Sequence, residues 1–255
     1  MSKLLHVEVS PMGENSVSRR IAQEFLNTWR ETNVGGEIIY RDLNANPVPH
    51  LDAETIFAGY TPEGEHSPSM SAKHKDRHDL IDEILSVDEI LISTPMWNWS
   101  LPSVLKAYFD QLVVPGKLDG SSAQGLKGKK VTYVVSQGGS YAPGTPKEGW
   151  DFMTGYLKHF ATALGSTDVE VILTELTFAG VVPGMENLVD KKEHSIANAK
   201  KRCMHLHEVV VASFGEGPVE GEIADLLEWL DLFDAGSIVE LDYGGLAIFM
   251  EMALA

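Results

Sequence analysis

The chain has 255 residues, 44% of them hydrophobic, and a formal net charge of −17. That size and apolar content support one large domain, or a domain with an appendage, and the acidic balance opposes nucleic acid or an anionic membrane as partner, since both require a basic surface. No run approaches the ~18 apolar residues of a membrane span, and the single Cys203 excludes an internal disulfide framework and fits a reducing cytoplasm.

The opening residues Met1–Val9 form an apolar run too short and too acidic for a signal peptide. Residues 3–9 read as a strand that ends in Ser10-Pro11-Met12-Gly13-Glu14-Asn15-Ser16-Val17-Ser18. Ile21, Phe25, Leu26 and Trp29 then recur at helical spacing. Gly36–Asp42 reads as a second strand. Leu43–Met70 is rich in Pro, Gly, Asn and His, which predicts a long connection with short helical pieces. Ser71–Leu85 is predicted as a helix, with Leu80, Ile81, Ile84 and Leu85 facing inward.

Asp88–Ser93 is a third apolar strand, and Pro102–Leu112 a helix. Gly116–Gly128 is a polar, glycine-rich loop. Lys130–Ser136 is a fourth strand, followed by a predicted helix over Gly149–Leu164 that carries Trp150, Met153, Tyr156, Leu157 and Phe160. Asp168–Thr174 is a fifth strand and Asn187–Phe214 a closing helix. Strand–helix alternation of this kind predicts an α/β fold, a parallel sheet covered by helices on both faces. Right-handed crossovers leave few topologies, and the flavodoxin-like order 2-1-3-4-5 is the one expected.

The remaining residues, 215–255, differ in composition. They hold 10 of the 37 Asp and Glu and none of the 20 Lys and Arg, so 27 acids face 20 bases over residues 1–214. Ile223, Leu226, Leu227, Leu230 and Phe233 predict an amphipathic helix with acids opposite. Ser237–Tyr243 suggests a short strand, Gly244-Gly245 a turn. The chain is therefore divided into a domain over 1–214 and an acidic C-terminal extension over 215–255. The extension is too apolar for a disordered linker and is expected to pack on the core or across a dimer.

Three strand-end loops carry the chemistry. In the first, Ser10, Ser16, Val17 and Ser18 put hydroxyls and free backbone N–H groups at a helix start, which suits a phosphate; a plain N-cap satisfies the same pattern. In the second, Pro95, Met96, Trp97, Asn98 and Trp99 form a flat, sticky edge suited to a planar ring such as a flavin, or a strand end with two core tryptophans. In the third, Ser136, Gln137, Gly138 and Gly139 let the backbone approach a ligand closely, or simply turn. Tyr141 follows them. No Walker lysine and no Gly-x-Gly-x-x-Gly is present, so neither a nucleoside triphosphate nor a Rossmann dinucleotide site is expected. All three loops fall at the carboxyl ends of the first, third and fourth strands, where an open parallel sheet binds ligands.

With these motifs and Arg41-Asp42-Leu43-Asn44-Ala45-Asn46-Pro47-Val48-Pro49, the chain resembles the FMN-dependent NADH-azoreductases and NAD(P)H:quinone reductases over residues 1–213. The resemblance implies that Ser10, Ser16 and Ser18 hold the FMN phosphate. It places Pro95–Trp99 at the pyrimidine and N5 edge of the ring, and Ser136–Gly139 at the opposite edge. It further implies a homodimer that passes a hydride from NADH or NADPH through FMN to a quinone or azo-type acceptor, in ping-pong fashion. In such enzymes the cofactor transfers the hydride and the protein supplies position and electrostatics; Tyr141 or a solvent proton is the candidate acid. A non-enzymatic electron carrier of flavodoxin type, or a flavin-fold interaction protein using the acidic extension, is the alternative.

Two departures bear on the acceptor. Gln137 stands where the family usually has arginine, and the 116–128 loop is short and lacks an aromatic residue. His74 and His78, four apart with Asp82 one turn on, have zinc-compatible spacing but read as a solvated helix face; no metal site is assigned.

Overall fold

The computed structural model describes residues 1–121, 125–206, 239–243 and 246–250. The chain divides into two compact units, Met1–Leu206 and His207–Ala255. The first holds a five-stranded parallel sheet in the order β2-β1-β3-β4-β5, with β1 Lys3–Glu8, β2 Glu37–Asp42, β3 Glu89–Pro95, β4 Lys130–Ser136 and β5 Asp168–Thr174. The strand order reverses between β1 and β3, and in open α/β sheets that reversal opens a crevice at the carboxyl ends of the strands.

The three central strands, β1, β3 and β4, are buried on both faces, so their two sets of alternate residues enter different cores. Leu5 and Val7 of β1, Ile90 and Ile92 of β3, and Val131, Tyr133 and Val135 of β4 join one cluster. That cluster is closed by α3 (Pro68–Leu85), α4 (Ser103–Leu112) and α5 (Thr154–Ala163) through Ile81, Ile84, Leu105, Phe109 and Leu157. Leu4, Leu91, Val134 and Ile172 point the other way, onto α1 (Val17–Thr32) and α6 (Val189–His205). Ile21, Phe25, Leu26 and Trp29 form the apolar stripe of α1, at the predicted spacing. Period-two alternation also puts His6 and Glu8 of β1, with Glu89 and Ser93 of β3, on the α1 face.

A short α2 (Ala53–Ala58) lies in the long connection after β2. Helix α3 starts three residues before the predicted Ser71, because Ser67 caps it from its hydroxyl (Met70 N–H, 3.1 Å) and Pro68 fits its first turn. Strand β3 runs on to Pro95, where it pairs with Ser136 of β4. The helix expected over Gly149–Leu164 begins only at Thr154. Gly149 sits at φ 77°, and the Asp151 carboxylate takes the N–H groups of Met153 and Thr154 at 2.8 and 2.9 Å, which fixes a turn there instead. Trp150 is thereby left outside the helix. His74 and His78 are half-buried rather than on a freely solvated face: their rings lie 3.9 Å apart, and His66 abuts His74 at 5.1 Å. Among the described residues no group of His, Cys, Asp and Glu has the geometry to hold a metal ion, and no helix is long and apolar enough to cross a membrane.

In the second unit, β6 (Val239–Tyr243) and β7 (Leu246–Met250) pair antiparallel, with Tyr243 opposite Leu246. The amphipathic helix predicted around Ile223–Phe233, and the end of the closing helix past Leu206, lie outside the described residues.

Candidate active site

The loop after β1 is built on Glu8. This side chain is fully buried, and its Oε1 accepts the Ser10 N–H at 2.9 Å while Oε2 accepts the Ser93 hydroxyl at 2.8 Å. His6 Nε2 lies 2.9 Å from the Ser93 hydroxyl oxygen. Since the Ser93 proton goes to Glu8, His6 donates from Nε2. Burial, with the nearby Arg19 charge adding to it, lowers the His6 pKa to about 4, so the ring is neutral at pH 7. Burial pushes the Glu8 carboxyl upward, against the Ser10 N–H, the Ser93 hydroxyl and the Arg19 guanidinium. Arg19 stands 3.3 Å from both Glu8 and Asp42.

Ser10, Ser16 and Ser18 are all buried at this loop. Ser16 caps α1 by accepting the Arg19 N–H at 3.2 Å, and its hydroxyl lies 3.2 Å from that of Ser18. Capping thus occupies an acceptor lone pair of Ser16 but leaves the first N–H groups of the helix, from Val17 and Ser18, without intrahelical acceptors. Hydroxyls and helix-end N–H groups clustered in this way are the donor set a phosphate requires.

The loop after β3 is a tight reverse turn. Trp97 and Ser100 exchange backbone hydrogen bonds, both at 3.0 Å, around Asn98 and Trp99. Both central residues are left-handed, at φ 48° and 64°, the pattern of a type I′ turn. Asn tolerates that region, whereas a bulky Trp is an outlier in it. Strain of this kind persists where the surroundings over-determine it, and it concentrates at functional sites. Trp97, Asn98 and Trp99 are exposed, with Pro95 and Met96 partly covered below them.

The loop after β4 is tied to its neighbours on both sides. Met96 N–H donates to Ser136 O at 2.8 Å and Gln137 N–H to Thr174 O at 2.8 Å. The buried Gln137 side chain donates to Asp151 at 2.8 Å, so this position is an amide anchor for the loop. Gly138 carries the Phe178 ring against its backbone: a Cβ there would lie 2.5 Å from the ring. Tyr141 folds back over Gly139, its hydroxyl 3.6 Å from where a Cβ would be. Burial, then the nearby Asp151 charge, raises its pKa, so it is protonated at neutral pH.

The three predicted loops therefore adjoin. Val9 N–H to Ser93 O, at 3.0 Å, links the first to β3, and the Met96–Ser136 bond links the second to the third. Residues not singled out in the sequence complete the group. Trp150 meets Trp99 edge to face at 5.3 Å, and Phe152 N–H donates to Trp99 O at 3.1 Å. Glu8, Asp151 and Phe178 are the other additions. An acid at alternate positions of an apolar strand was the only signal for Glu8; nothing local marked Trp150 or Phe178.

Residues 2–205 match the family described as flavodoxin-like fold. A protein of Frankia casuarinae named FMN-dependent NADH:quinone oxidoreductase is 45% identical over 201 residues, which are 78% of this chain and 95% of that one. A protein of the same name from Streptomyces avermitilis is 39% identical over 78% of this chain and 92% of its own. The chain belongs to this flavodoxin-like oxidoreductase family. Among solved structures, the FMN-dependent NADH-azoreductase of Bacillus anthracis in complex with FMN superposes with a TM-score of 0.68 at 20% identity, over 82% of this chain and all of that one, a likeness of fold. Residues 192–254 match a domain of unknown function (DUF8083). The family match ends one residue before the boundary of the first compact unit, and the second match begins inside α6.

An observation at the loop after β1 fits a flavin mononucleotide. Arg19, whose Nε lies 3.3 Å from Glu8 and whose Nη2 lies 3.3 Å from Asp42, directly follows the buried Ser16 and Ser18 donors, so a cation adjoins the cradle.

Proposed function

We propose that this protein is an FMN-dependent oxidoreductase that uses NADH to reduce a quinone- or azo-type acceptor. The observation that carries this reading is the adjacency of the buried serine cradle, the strained Trp97–Ser100 turn and the Gly138–Gly139 turn at the topological switch point of the sheet. Family membership supports it: the relatives named above are FMN-dependent NADH:quinone oxidoreductases.

On this reading Ser10, Ser16, Val17 and Ser18 bind the phosphate, with Arg19 beside them. Pro95–Trp99 and Ser136–Gly139 hold the two edges of the ring. When bound, FMN would supply hydride transfer from donor to acceptor in a ping-pong cycle. The chain's own part is to fix the ring, keep water from it with Trp97, Trp99, Trp150 and Phe178, and present Tyr141 as a protonated hydroxyl. We read the protein as a cytoplasmic homodimer, supported by the single buried cysteine and by the family resemblance.

The test is cofactor identification. Protein purified from a flavin-replete host, or reloaded, releases about one FMN per chain and oxidises NADH only when a quinone or azo compound is supplied. Failure to take up FMN overturns the reading.

A further inference from the structure

At the loop after β1, one cation is shared by two acids. Arg19 Nε lies 3.3 Å from Glu8 Oε2, and Nη2 lies 3.3 Å from Asp42 Oδ2. Asp42 ends β2, where its Oδ1 accepts the Asn44 and Ala45 N–H groups, both at 2.9 Å, and its Oδ2 the Tyr40 hydroxyl at 3.4 Å. His6 also faces Glu8, 4.0 Å from Oε2, and is neutral at pH 7. Arg20, next along α1, is exposed, where water and salt screen it. One guanidinium against two carboxylates leaves these side chains at −1 before any ligand arrives.

A phosphate monoester adds about −1.5 to −2 at pH 7, which takes the group to about −3. Like charges gathered in a partly desolvated site favour the neutral form of the most buried acid. Glu8 has no solvent exposure, and burial already pushes its carboxyl upward. Asp42 is partly exposed and keeps its two backbone donors. Glu8 is therefore the group that can take a proton at least cost. Its partners allow the change. The Ser93 hydroxyl, 2.8 Å from Oε2, now donates, but a hydroxyl also accepts. With Oε2 protonated the bond reverses: Glu8 donates to Ser93 Oγ, the Ser93 proton turns to His6 Nε2 at 2.9 Å, and His6 carries its own proton on Nδ1. Oε1 goes on accepting the Ser10 N–H, so the loop stays anchored.

We propose that Glu8 is the proton acceptor of cofactor binding: as the FMN phosphate seats on the serine cradle beside Arg19, one proton from solvent converts the Glu8 carboxylate to the neutral acid. Nothing is oxidised or reduced in this step; the proton is the only addition besides FMN. The complex holds one proton more than its separate parts, so binding weakens as pH rises. This rests on the FMN-dependent reading above. It adds a residue that reads the charge of the phosphate and not the flavin ring.

The experiment is a calorimetric titration of the FMN-free full chain at pH 7.5, in three buffers of different ionisation heat, with FMN and with riboflavin. The free phosphate is by then largely the dianion. FMN binds with uptake of about one proton, and its dissociation constant rises by up to about tenfold per pH unit. Riboflavin binds with none. Glu8→Gln, weaker for FMN but with no proton to gain, also takes up none, and its dissociation constant no longer follows pH in this way. The infrared difference spectrum of FMN binding to the parent, which needs no variant, gains a protonated-carboxyl C=O band. No proton uptake, or no such band, overturns the proposal. Equal uptake with riboflavin does the same, and uptake that persists in Glu8→Gln puts the proton on the phosphate itself. If the chain binds no FMN, it is the oxidoreductase reading that fails, and the absorption spectrum reports this separately.

Discussion

Glu8 accepts the Ser10 N–H at 2.9 Å from a position with no solvent exposure, so a buried carboxylate inside the sheet holds the first residue of the loop proposed to bind phosphate. A buried charge is tolerable only when its lone pairs are filled, and here Ser10, Ser93 and Arg19 fill them. Glu8→Gln replaces one acceptor oxygen with a donor and leaves one of these partners unsatisfied. The variant loses about 1–3 kcal/mol in urea unfolding. If that loop binds the phosphate as proposed, the variant's FMN affinity falls while its riboflavin affinity changes little. Equal losses for both flavins would detach Glu8 from the phosphate.

Glu89 makes stability depend on pH. Its carboxylate accepts the Trp29 indole N–H at 2.8 Å, and burial raises its pKa from 4.5 to about 7. The folded state therefore favours the protonated acid. That contribution is complete below pH 4.5 and is lost as pH rises through about 7. It amounts to about 3 kcal/mol at the upper end. Urea midpoints of the FMN-free protein, measured from pH 5 to pH 8, fall with rising pH, and Glu89→Gln flattens the slope. An identical slope in the variant assigns the pH dependence to other groups.

The Gly138–Phe178 contact gives a paired test. Gly138→Ala forces a methyl to within 2.5 Å of the ring, which must move and drag the loop with it. FMN affinity drops about tenfold or more, since overpacking costs about 1–3 kcal/mol. Gly138→Ala/Phe178→Ala makes room and recovers part of the affinity. Fluorescence titration with FMN reads both; additive losses in the double variant would show that the two residues do not couple.

Much of this was legible in the sequence because the physics is local. The five strands announced themselves as apolar runs, and α1 as Ile21, Phe25, Leu26 and Trp29. Turn residues placed the three candidate loops at strand ends. What stayed hidden depends on the sheet bringing distant segments together. Trp150 reads as helix interior until Gly149 and Asp151 are seen to fix a turn that delivers it to Trp99. Gln137, read from sequence as a lost cation, turns out to bind Asp151 from within the interior. Glu8 has no local signal for its partners: the pairing of β1 with β3 is what brings Ser93 to it.

The Trp97–Ser100 turn separates strain from function. Trp99→Gly removes a left-handed tryptophan, worth about 1–2 kcal/mol of backbone relief, and also removes the ring that meets Trp150. The melting temperature of the FMN-free variant stays near that of the parent, while FMN dissociates faster. Trp99→Phe keeps an aromatic edge and retains most of the affinity. A glycine variant that holds FMN as well as the parent would make Trp99 a bystander.

The most direct measurement is an anaerobic titration of the FMN-loaded protein with NADH, followed in the visible flavin band. A ring held at the switch point by the three loops bleaches with one NADH per bound FMN, and adding a quinone restores the band. A bound flavin whose band persists in excess NADH would contradict the oxidoreductase assignment.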